Sequence, residues 1–487
     1  MNNKHINILS VVYIVAPIII FFAGWLKPLI SVPVLLICVL SLALFISREW
    51  QKKECIAFSL KELFPTVVLI CLWVYFSGIG GLVYQNTDHE YRNAIFNILV
   101  DFDWPVINGG KGLIYYIGFW LPSALVGKIF GLTAGYLFQV VWAILGIFLC
   151  CCLMFEYFGK VSTKAVVVFI VFSGLDVVGA FLNGWSMQNL DYQSIEWWSG
   201  FQYSCFTTQL FWVFNQAIYG WIITLTIMKQ EDNRHIVFLW SCGLLSCTFP
   251  FVGMLPFVVF KIIRNIRDNA ASDLETLHVE KKKSKFADFI RATNLFTFSN
   301  VLGGGCIGII TFMYETANAS AMGANATTES VGSIKGRIAM YVLFVILDVG
   351  VYWLTMYKYQ CKNPLYWLCG GVLLVCPWIE VGDGCDFCMR ASIPALLLLM
   401  LLVMDTFKQA KRAKDYCIVF AILVIILIGS VTPLEELKRV AHQTYNYYQA
   451  GIALEQEAVP YDKVFKTSNF SGSIDNSFFF KYLAKVE

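Results

Sequence analysis

The chain has 487 residues, of which 58% are hydrophobic and only 14% are charged, and its mean hydropathy is +0.65. A soluble domain carries about 25% charged residues, so this composition excludes a soluble protein and indicates one that crosses a membrane many times. The net charge of +3 is too small to suggest nucleic acid as a partner.

Hydrophobic runs follow one another along most of the chain. Runs of about 17–25 residues are long enough to cross a bilayer as a helix. They predict spans at about 6–26, 29–47, 62–84, 132–156, 165–182, 205–228, 292–314, 336–357, 364–380, 391–406 and 416–432. The run at 235–263 is broken at Pro250 and Pro256, and we interpret it as two short spans or a re-entrant pair.

The predicted fold is therefore all-α, a polytopic transmembrane bundle of about 13 spans. Residues 1–61 would form an N-terminal transmembrane hairpin followed by a basic cytoplasmic loop. Residues 62–432 would form the transmembrane core, with a first external loop at 85–131, and residues 433–487 an external tail.

Basic residues predict which way this bundle faces, because cytoplasmic loops carry an excess of Lys and Arg. With a cytoplasmic N-terminus and an interfacial segment at 112–130, the basic loops all face the cytoplasm: 48–61, 160–164, 229–234, 261–291, 358–363 and 408–414. If 112–130 spanned instead, the most basic loop, 261–291, would face outward. We therefore expect a multi-pass protein of a bacterial plasma membrane with an external C-terminus.

The first external loop has a composition that does not belong in lipid. It contains Arg92 and four carboxylates, Asp88, Glu90, Asp101 and Asp103. Charged residues beside membrane spans are often functional, and long loops commonly carry binding and catalytic groups. The alternative is structural, with Thr87 or Asp88 capping a helix predicted at 90–100.

Three later segments share the predicted external side. In the first, Trp197 suits either stacking on a sugar ring or the aromatic belt of a membrane interface. The second ends in Lys335 and Arg337, which fit either a lid over a phosphate or a solvated basic pair. In the third, Arg390 precedes a span, where its planar guanidinium can bind a phosphate in a bidentate way. Snorkelling to lipid headgroups is the alternative for each cation.

The order of these features resembles a known superfamily. Asp88 follows a span, then come Arg92 and Trp104-Pro105, and then Leu113-Ile-Tyr-Tyr-Ile-Gly-Phe-Trp120. This order is similar to the first external loop of GT-C glycosyltransferases, such as protein O-mannosyltransferases and the lipid A aminoarabinose transferase. Arg390-Ala-Ser-Ile-Pro394 resembles the Arg-Tyr…Pro element before a late span of those proteins. In this chain His89 separates the two acids, and no Tyr follows Arg390.

The resemblance implies a GT-C-like fold and transfer of a sugar, on the external face, from a polyprenyl-phosphate carrier to a glycan, lipid or protein acceptor. A carboxylate would take the acceptor's proton, and cations would stabilise the charge that grows on the leaving phosphate. We predict Asp88 as the base with Glu90 in reserve, and substrate contacts from Arg92, Lys335, Arg337, Arg390, Tyr115, Tyr116 and Trp197. Carboxylate oxygens also suit Mg²⁺ or Mn²⁺, although no residue spacing demands a metal.

Two other functions compete with a glycosyltransferase. An O-antigen-type polymerase or ligase would be expected to use external arginines and a large late loop, whereas the longest external loops here are early. A transporter or flippase of lipid-linked sugar usually carries charged residues at mid-membrane. The acids inside the predicted spans, Asp176, Asp348 and Asp405, are expected near span ends.

Overall fold

The computed structural model describes residues 2–52, 58–186, 194–276, 293–317, 334–381 and 385–486. Residues 318–333 of the second late external segment and 277–291 of the basic loop lie outside the described residues. The described helices are α1 (Asn3–Trp25), α2 (Pro28–Gln51), α3 (Leu60–Phe76), α4 (Asp88–Asp101), α5 (Leu121–Phe130), α6 (Leu132–Phe158), α7 (Thr163–Val171), α8 (Asp176–Leu182), α9 (Phe206–Lys229), α10 (Ile236–Ser241), α11 (Thr248–Thr276), α12 (Gly305–Glu315), α13 (Ile334–Val345), α14 (Val351–Gln360), α15 (Pro364–Val375), α16 (Asp386–Ala391), α17 (Ile393–Arg412), α18 (Tyr416–Gly429), α19 (Val431–Gln449) and α20 (Tyr461–Lys466).

Nine helical stretches in the described part of the chain are long and apolar enough to cross a membrane. They are Asn3–Trp25, Pro28–Gln51, Leu132–Phe158, Thr163–Leu182, Phe206–Lys229, Thr248–Asp268, Lys335–Gln360, Ile393–Arg412 and Tyr416–Gln449. The prediction of a mostly helical, multi-pass membrane protein is confirmed at this level. The further spans predicted at 62–84, 292–314 and 364–380 coincide with the shorter helices α3, α12 and α15, so the total of about 13 stays a prediction.

The predicted break at the two prolines of the 235–263 run is wrong. Helix α11 begins at Thr248 and contains both Pro250 and Pro256, and the chain leaves the helical conformation before them, at 242–247. Pro250 lies in the first turn, where backbone N–H groups have no intrahelical partner, so its missing donor costs nothing there.

The segment 112–130 is not one continuous helix. It comprises the end of a short strand, a 3₁₀ turn at Ile117–Phe119 and helix α5. Helix α5 has ten residues, which rise about 15 Å, half the roughly 30 Å of a bilayer's hydrocarbon core. These lengths favour the interfacial interpretation of this segment over a span.

The C-terminal tail is tied to the first external loop by a three-stranded antiparallel sheet. Its strands are β1 (Ile107–Asn108), β2 (Lys111–Leu113) and β3 (Ser471–Ser473), with β2 in the centre. Residue 472 of the tail pairs with Gly112. The tail therefore covers the loop that carries the predicted base.

Polar contacts collect at two ends of the bundle, which helix α1 connects. Near its start, Asn7 Oδ1 accepts from Lys229 Nζ at 2.7 Å, among the basic loops. At its end, Trp25 O accepts from the backbone N–H of Lys485 at 2.8 Å, on the side of loop 85–131 and the tail. The cytoplasmic location of the Asn7 end stays a prediction of the positive-inside rule.

Cysteine labelling tests this orientation. We expect Lys335→Cys to react with a membrane-impermeant maleimide on intact cells, and Lys362→Cys to react only after permeabilisation, since both positions are exposed but belong to opposite ends. The parent chain, with its own cysteines, sets the background. Labelling of both variants from the same side would contradict the orientation.

Candidate functional site

Helix α4 presents Asp88 on its first turn. The N-cap residue, Thr87, makes no side-chain capping bond; instead Asn86 Oδ1 accepts from Asp88 N at 3.1 Å. Thr87 therefore occupies the predicted cap position, but its side chain does not make the capping bond. The Asp88 carboxylate accepts from Arg92 Nη2 at 2.8 Å, one turn along α4, and 44% of its side chain remains exposed. Asp88 is thus oriented by Arg92 and open to a substrate.

Arg92 is buried and only partly satisfied. Its side chain is 5% exposed, and its guanidinium lies 5.6 Å from the ring centre of Phe214 on α9. Among the described residues, Arg92 Nε and Nη1 have no hydrogen-bond partner. A buried donor without a partner costs about 1–3 kcal/mol, so these two nitrogens are suited to an anion that enters the site.

Two consecutive tyrosines lie beside the arginine. The rings of Tyr115 and Tyr116 are 3.8 Å apart, and Tyr115 N donates to the Tyr314 hydroxyl at 3.4 Å. Burial raises the pKa of both phenols, and the positive charges of Arg92 and Arg390 oppose that rise at each of them. The ring of Trp120 lies 6.1 Å from that of Phe214, which Arg92 contacts, and 6.0 Å from that of Tyr115, so the tyrosine pair lies near Arg92. The effect of the Arg390 charge on both phenols indicates that Arg390 is near the same pair, since Coulomb interactions fall off with distance.

Arg390 reaches this region from the late part of the chain. It lies on the short helix α16, is 7% exposed, and its Nη1 is 2.7 Å from Asp386 Oδ2. Its guanidinium lies 5.7 Å from the ring centre of Phe249 on α11. In the described ranges, Arg390 Nε also lacks a hydrogen-bond partner. Burial opposes its charge, but Tyr116 and Asp386 raise the pKa of Arg390, so it remains cationic.

Close helix packing allows this approach. A Cβ on Gly253 of α11 would lie 1.9 Å from Ala391 O. Only glycine therefore lets α11 come near enough to α16 to place Phe249 against Arg390.

Comparison with known proteins does not assign this chain to a family. No family model, curated protein or solved structure matches the chain. The GT-C-like fold and the glycosyltransferase interpretation therefore stay predictions that rest on the resemblance of the first external loop and of Arg390-Ala-Ser-Ile-Pro394.

Glu90 faces a different feature from Asp88. It lines a cavity of about 230 Å³ between the first loop and the tail, together with Tyr84, Glu455 and Glu457. Its backbone O accepts from Val459 N at 3.2 Å. Glu90 is therefore directed at the tail, whereas Asp88 is directed at Arg92.

The remaining predicted contacts lie in other surroundings. Arg337 forms an ion pair with Glu380 and lies 5.7 Å from the ring centre of Trp378. Lys335 is exposed. Trp197 is 50% exposed, with its ring 5.8 Å from that of Trp212. The structure thus brings together Asp88, Arg92, Tyr115, Tyr116 and Arg390, and surrounds Arg337 and Trp197 with different partners.

The first-loop acids do not fit a shared Mg²⁺ or Mn²⁺ site. Asp88 is paired with Arg92, and Asp101 Oδ2 accepts from the Tyr461 hydroxyl at 2.5 Å. Within the part of the chain that the structure describes, no group of three or more His, Cys, Asp or Glu is arranged to hold a metal.

Sequence reasoning missed the aromatic and imidazole groups that support the arginines. Phe214 and Phe249 stand in long apolar runs, where nothing distinguishes them from core residues. His89 is 1% exposed; its Nε2 donates to Phe211 O at 3.2 Å and its Nδ1 accepts from Gln85 Nε2 at 3.2 Å. In the sequence, the position of His89 next to Asp88 was the one feature that pointed to a place in the site.

Because His89 is buried, we predict that the folded protein loses stability at acidic pH. Burial and the charge of Arg92 lower the pKa of His89 to about 3, against about 6.5 in an unfolded chain. Between these values the unfolded state binds the extra proton, so the free energy of unfolding decreases as pH falls through 6.5 towards 3. For one such group the loss at about pH 5 is roughly 2 kcal/mol.

Thermal unfolding of the purified protein checks this prediction. The wild type should lose stability between about pH 7 and pH 5, and His89→Gln should lose less, because its side chain does not titrate. His5→Gln, at an exposed histidine, is the matched control and should behave as the wild type does. An equal acid loss in all three proteins would contradict the assignment.

Proposed function

We propose that the protein is an integral-membrane glycosyltransferase that transfers a sugar from a polyprenyl-phosphate carrier to an acceptor on the external face. The observation that carries the proposal is the convergence of an early carboxylate with two buried arginines, one early and one late. Asp88 is bound to Arg92 at 2.8 Å, and Arg92 and Arg390 act on the same two tyrosines.

These groups supply the chemistry that the reaction needs. The acceptor's oxygen or nitrogen forms a bond to the anomeric carbon while the bond from that carbon to the phosphate oxygen breaks. Asp88 takes the acceptor's proton. Arg92 Nε and Nη1 and Arg390 Nε, which lack partners among the described residues, donate hydrogen bonds to the phosphate as its negative charge grows.

The aromatic lining supports the same proposal. Tyr115 and Tyr116 carry ring faces and hydroxyls of the kind that bind a sugar, and buried Trp120 packs 6.0 Å from Tyr115. Phe470 of the tail lies 5.0 Å from Tyr115, so the tail would help to exclude water from the reacting centre.

A specific observation also favours the second candidate, a transporter or flippase of lipid-linked sugars. The expectation that the acids within spans lie near span ends is wrong for Asp348, which lies in the middle of the Lys335–Gln360 stretch. Asp348 is 4% exposed and lies against Asp176, which is 1% exposed. Buried intramembrane acids are typical of proton-coupled transporters.

One experiment separates the two candidates. Purified protein in liposomes is given a panel of radiolabelled polyprenyl-phosphate and polyprenyl-diphosphate sugars with sugar, lipid and peptide acceptors. The proposal expects loss of label from a donor and its appearance in an acceptor. Movement of an intact donor between leaflets without cleavage would instead support the transporter, and an intact donor that neither moves nor reacts would overturn both.

A further inference from the structure

Two carboxylates face each other inside the bundle on elements that do not form the candidate site. Asp176 begins helix α8, directly after the interruption at 172–175 that separates α7 from α8. Asp348 lies in a π-helical stretch, Ile346–Gly350, between α13 and α14. Both sit in helices long enough to cross the membrane, and π-helical turns are common at functional sites.

The two interrupted helices are in direct contact here. Leu175 N donates to Leu347 O at 3.1 Å, and the Tyr352 hydroxyl donates to Ser173 O at 2.9 Å. A Cβ on Gly174 would lie 2.6 Å from the Asp348 Cα. The backbone of one interruption therefore packs on the backbone of the other, and this packing fixes the two side chains face to face.

The hydrogen bonding of the pair is incomplete if both carboxylates are ionised. Asp176 Oδ2 accepts from Ser173 Oγ at 3.0 Å, but no donor among the described residues reaches either oxygen of Asp348. The group within hydrogen-bond reach of Asp348 is the carboxylate of Asp176. Two ionised carboxylates are both acceptors, so a bond between them requires a proton on one of them.

The surroundings add negative rather than positive charge. Glu196, on the 3₁₀ turn Ile195–Trp197, is 1% exposed, and burial together with Asp176 raises the pKa of Glu196. Among the described residues, the other titratable groups that interact with these acids include Tyr203, Cys205, Tyr352 and Glu436, and Glu436 is in turn paired with Arg439. Arg439 Nη1 is paired with Glu436 Oε1 at 2.7 Å, so its charge is already balanced.

We propose that Asp176 and Asp348 form a proton-binding site, in which one shared proton joins the interruption of α7–α8 to the π-helical stretch between α13 and α14. Two like charges in such an apolar position cannot both persist. Loss of the proton would leave two repelling carboxylates and weaken the contact between the segments. The site is independent of the proposed glycosyl transfer, and it would give either candidate function a proton-sensitive element.

Infrared difference spectroscopy tests the proton directly. At neutral pH the wild type in lipid nanodiscs should show C=O stretching bands of protonated carboxylic acids, to which Glu196 also contributes because its pKa is raised. The component that belongs to the shared proton should be missing from the spectra of Asp348→Asn and of Asp176→Asn. The amide of either variant donates to the remaining carboxylate, as the shared proton does, so both variants are expected to fold. Asp405→Asn is the matched control, because Asp405 accepts from Gln360 and Gln409 at the other end of the bundle, and it should keep this component.

An alkaline titration of the wild type gives a second readout that needs no variant. The component of the carboxylic acid band that Asp348→Asn lacks should disappear as pH rises, with a downward shift of the thermal midpoint. Asp348→Asn, if folded, should show a smaller shift. A wild-type spectrum that does not differ from that of Asp348→Asn at neutral pH, or from its own spectrum at alkaline pH, would overturn the proposal, as would equal loss of this component in Asp405→Asn.

Discussion

Replacement of Asp88 by Asn is expected to lower the rate of sugar transfer by about 10²- to 10⁴-fold, the usual contribution of a general base. The amide has nearly the same size as the carboxylate but cannot take the acceptor's proton. Donor binding should change less, because Arg92 Nε and Nη1 and Arg390 Nε, which lack partners among the described residues, are left unaltered. The measurement is kcat and KM for transfer by purified wild type and variant, with the loss expected in kcat.

The controls separate chemistry from folding. Asp88→Asn removes the ion-pair partner of buried Arg92, so its thermal midpoint and monodispersity must be compared with those of the wild type. Asp88→Glu keeps a carboxylate and should retain more activity than Asp88→Asn. Asp103→Asn makes the same change at an exposed position of the same loop and should transfer normally. A folded Asp88→Asn that transfers as fast as the wild type would remove Asp88 from its role.

The coarse fold could be predicted from the sequence because the bilayer imposes a simple rule of length and hydropathy. The span predicted at 132–156 falls within helix α6, and the one predicted at 205–228 matches helix α9 to within one residue at each end. The rule fails where helices are interrupted inside an apolar run. The interruption at 172–175 and the π-helical stretch at Asp348 leave no mark in hydropathy, because tertiary contacts such as that of Leu175 N with Leu347 O stabilise them.

The charged residues of the candidate site could be identified from the sequence, but their arrangement in space could not. Charges are rare in this chain, so Asp88, Arg92 and Arg390 stand out at the ends of apolar runs. Their convergence depends on packing that a single sequence does not encode locally, such as the approach of α11 to α16 at Gly253. The sequence also could not show which late cation is the better candidate for binding phosphate. In the structure Arg390 is buried, at 7% exposed, whereas Arg337 is already paired with Glu380.

Replacement of Arg390 by Gln is expected to lower the rate of transfer by about 10²- to 10³-fold, the loss seen when one preorganised donor to a developing negative charge is removed. The guanidinium is buried, so water does not screen it as it would at the surface. Its effect should grow as charge develops on the leaving phosphate, and the loss should therefore appear in kcat more than in KM.

Two matched variants test whether position or charge matters at this residue. Arg390→Lys keeps the positive charge but lacks the planar fork that binds phosphate in a bidentate way, and we expect an activity between those of wild type and Arg390→Gln. Arg337→Gln removes another late cation, one that is already paired with Glu380, and should cost less than Arg390→Gln. The thermal midpoint of each variant is measured beside its activity, because Arg390 also pairs with Asp386 and its loss could destabilise the fold. An equal loss of transfer rate in Arg337→Gln and Arg390→Gln would contradict the assignment. It would show that positive charge at this end of the bundle supports the reaction in general, whether or not it lies beside the tyrosine pair.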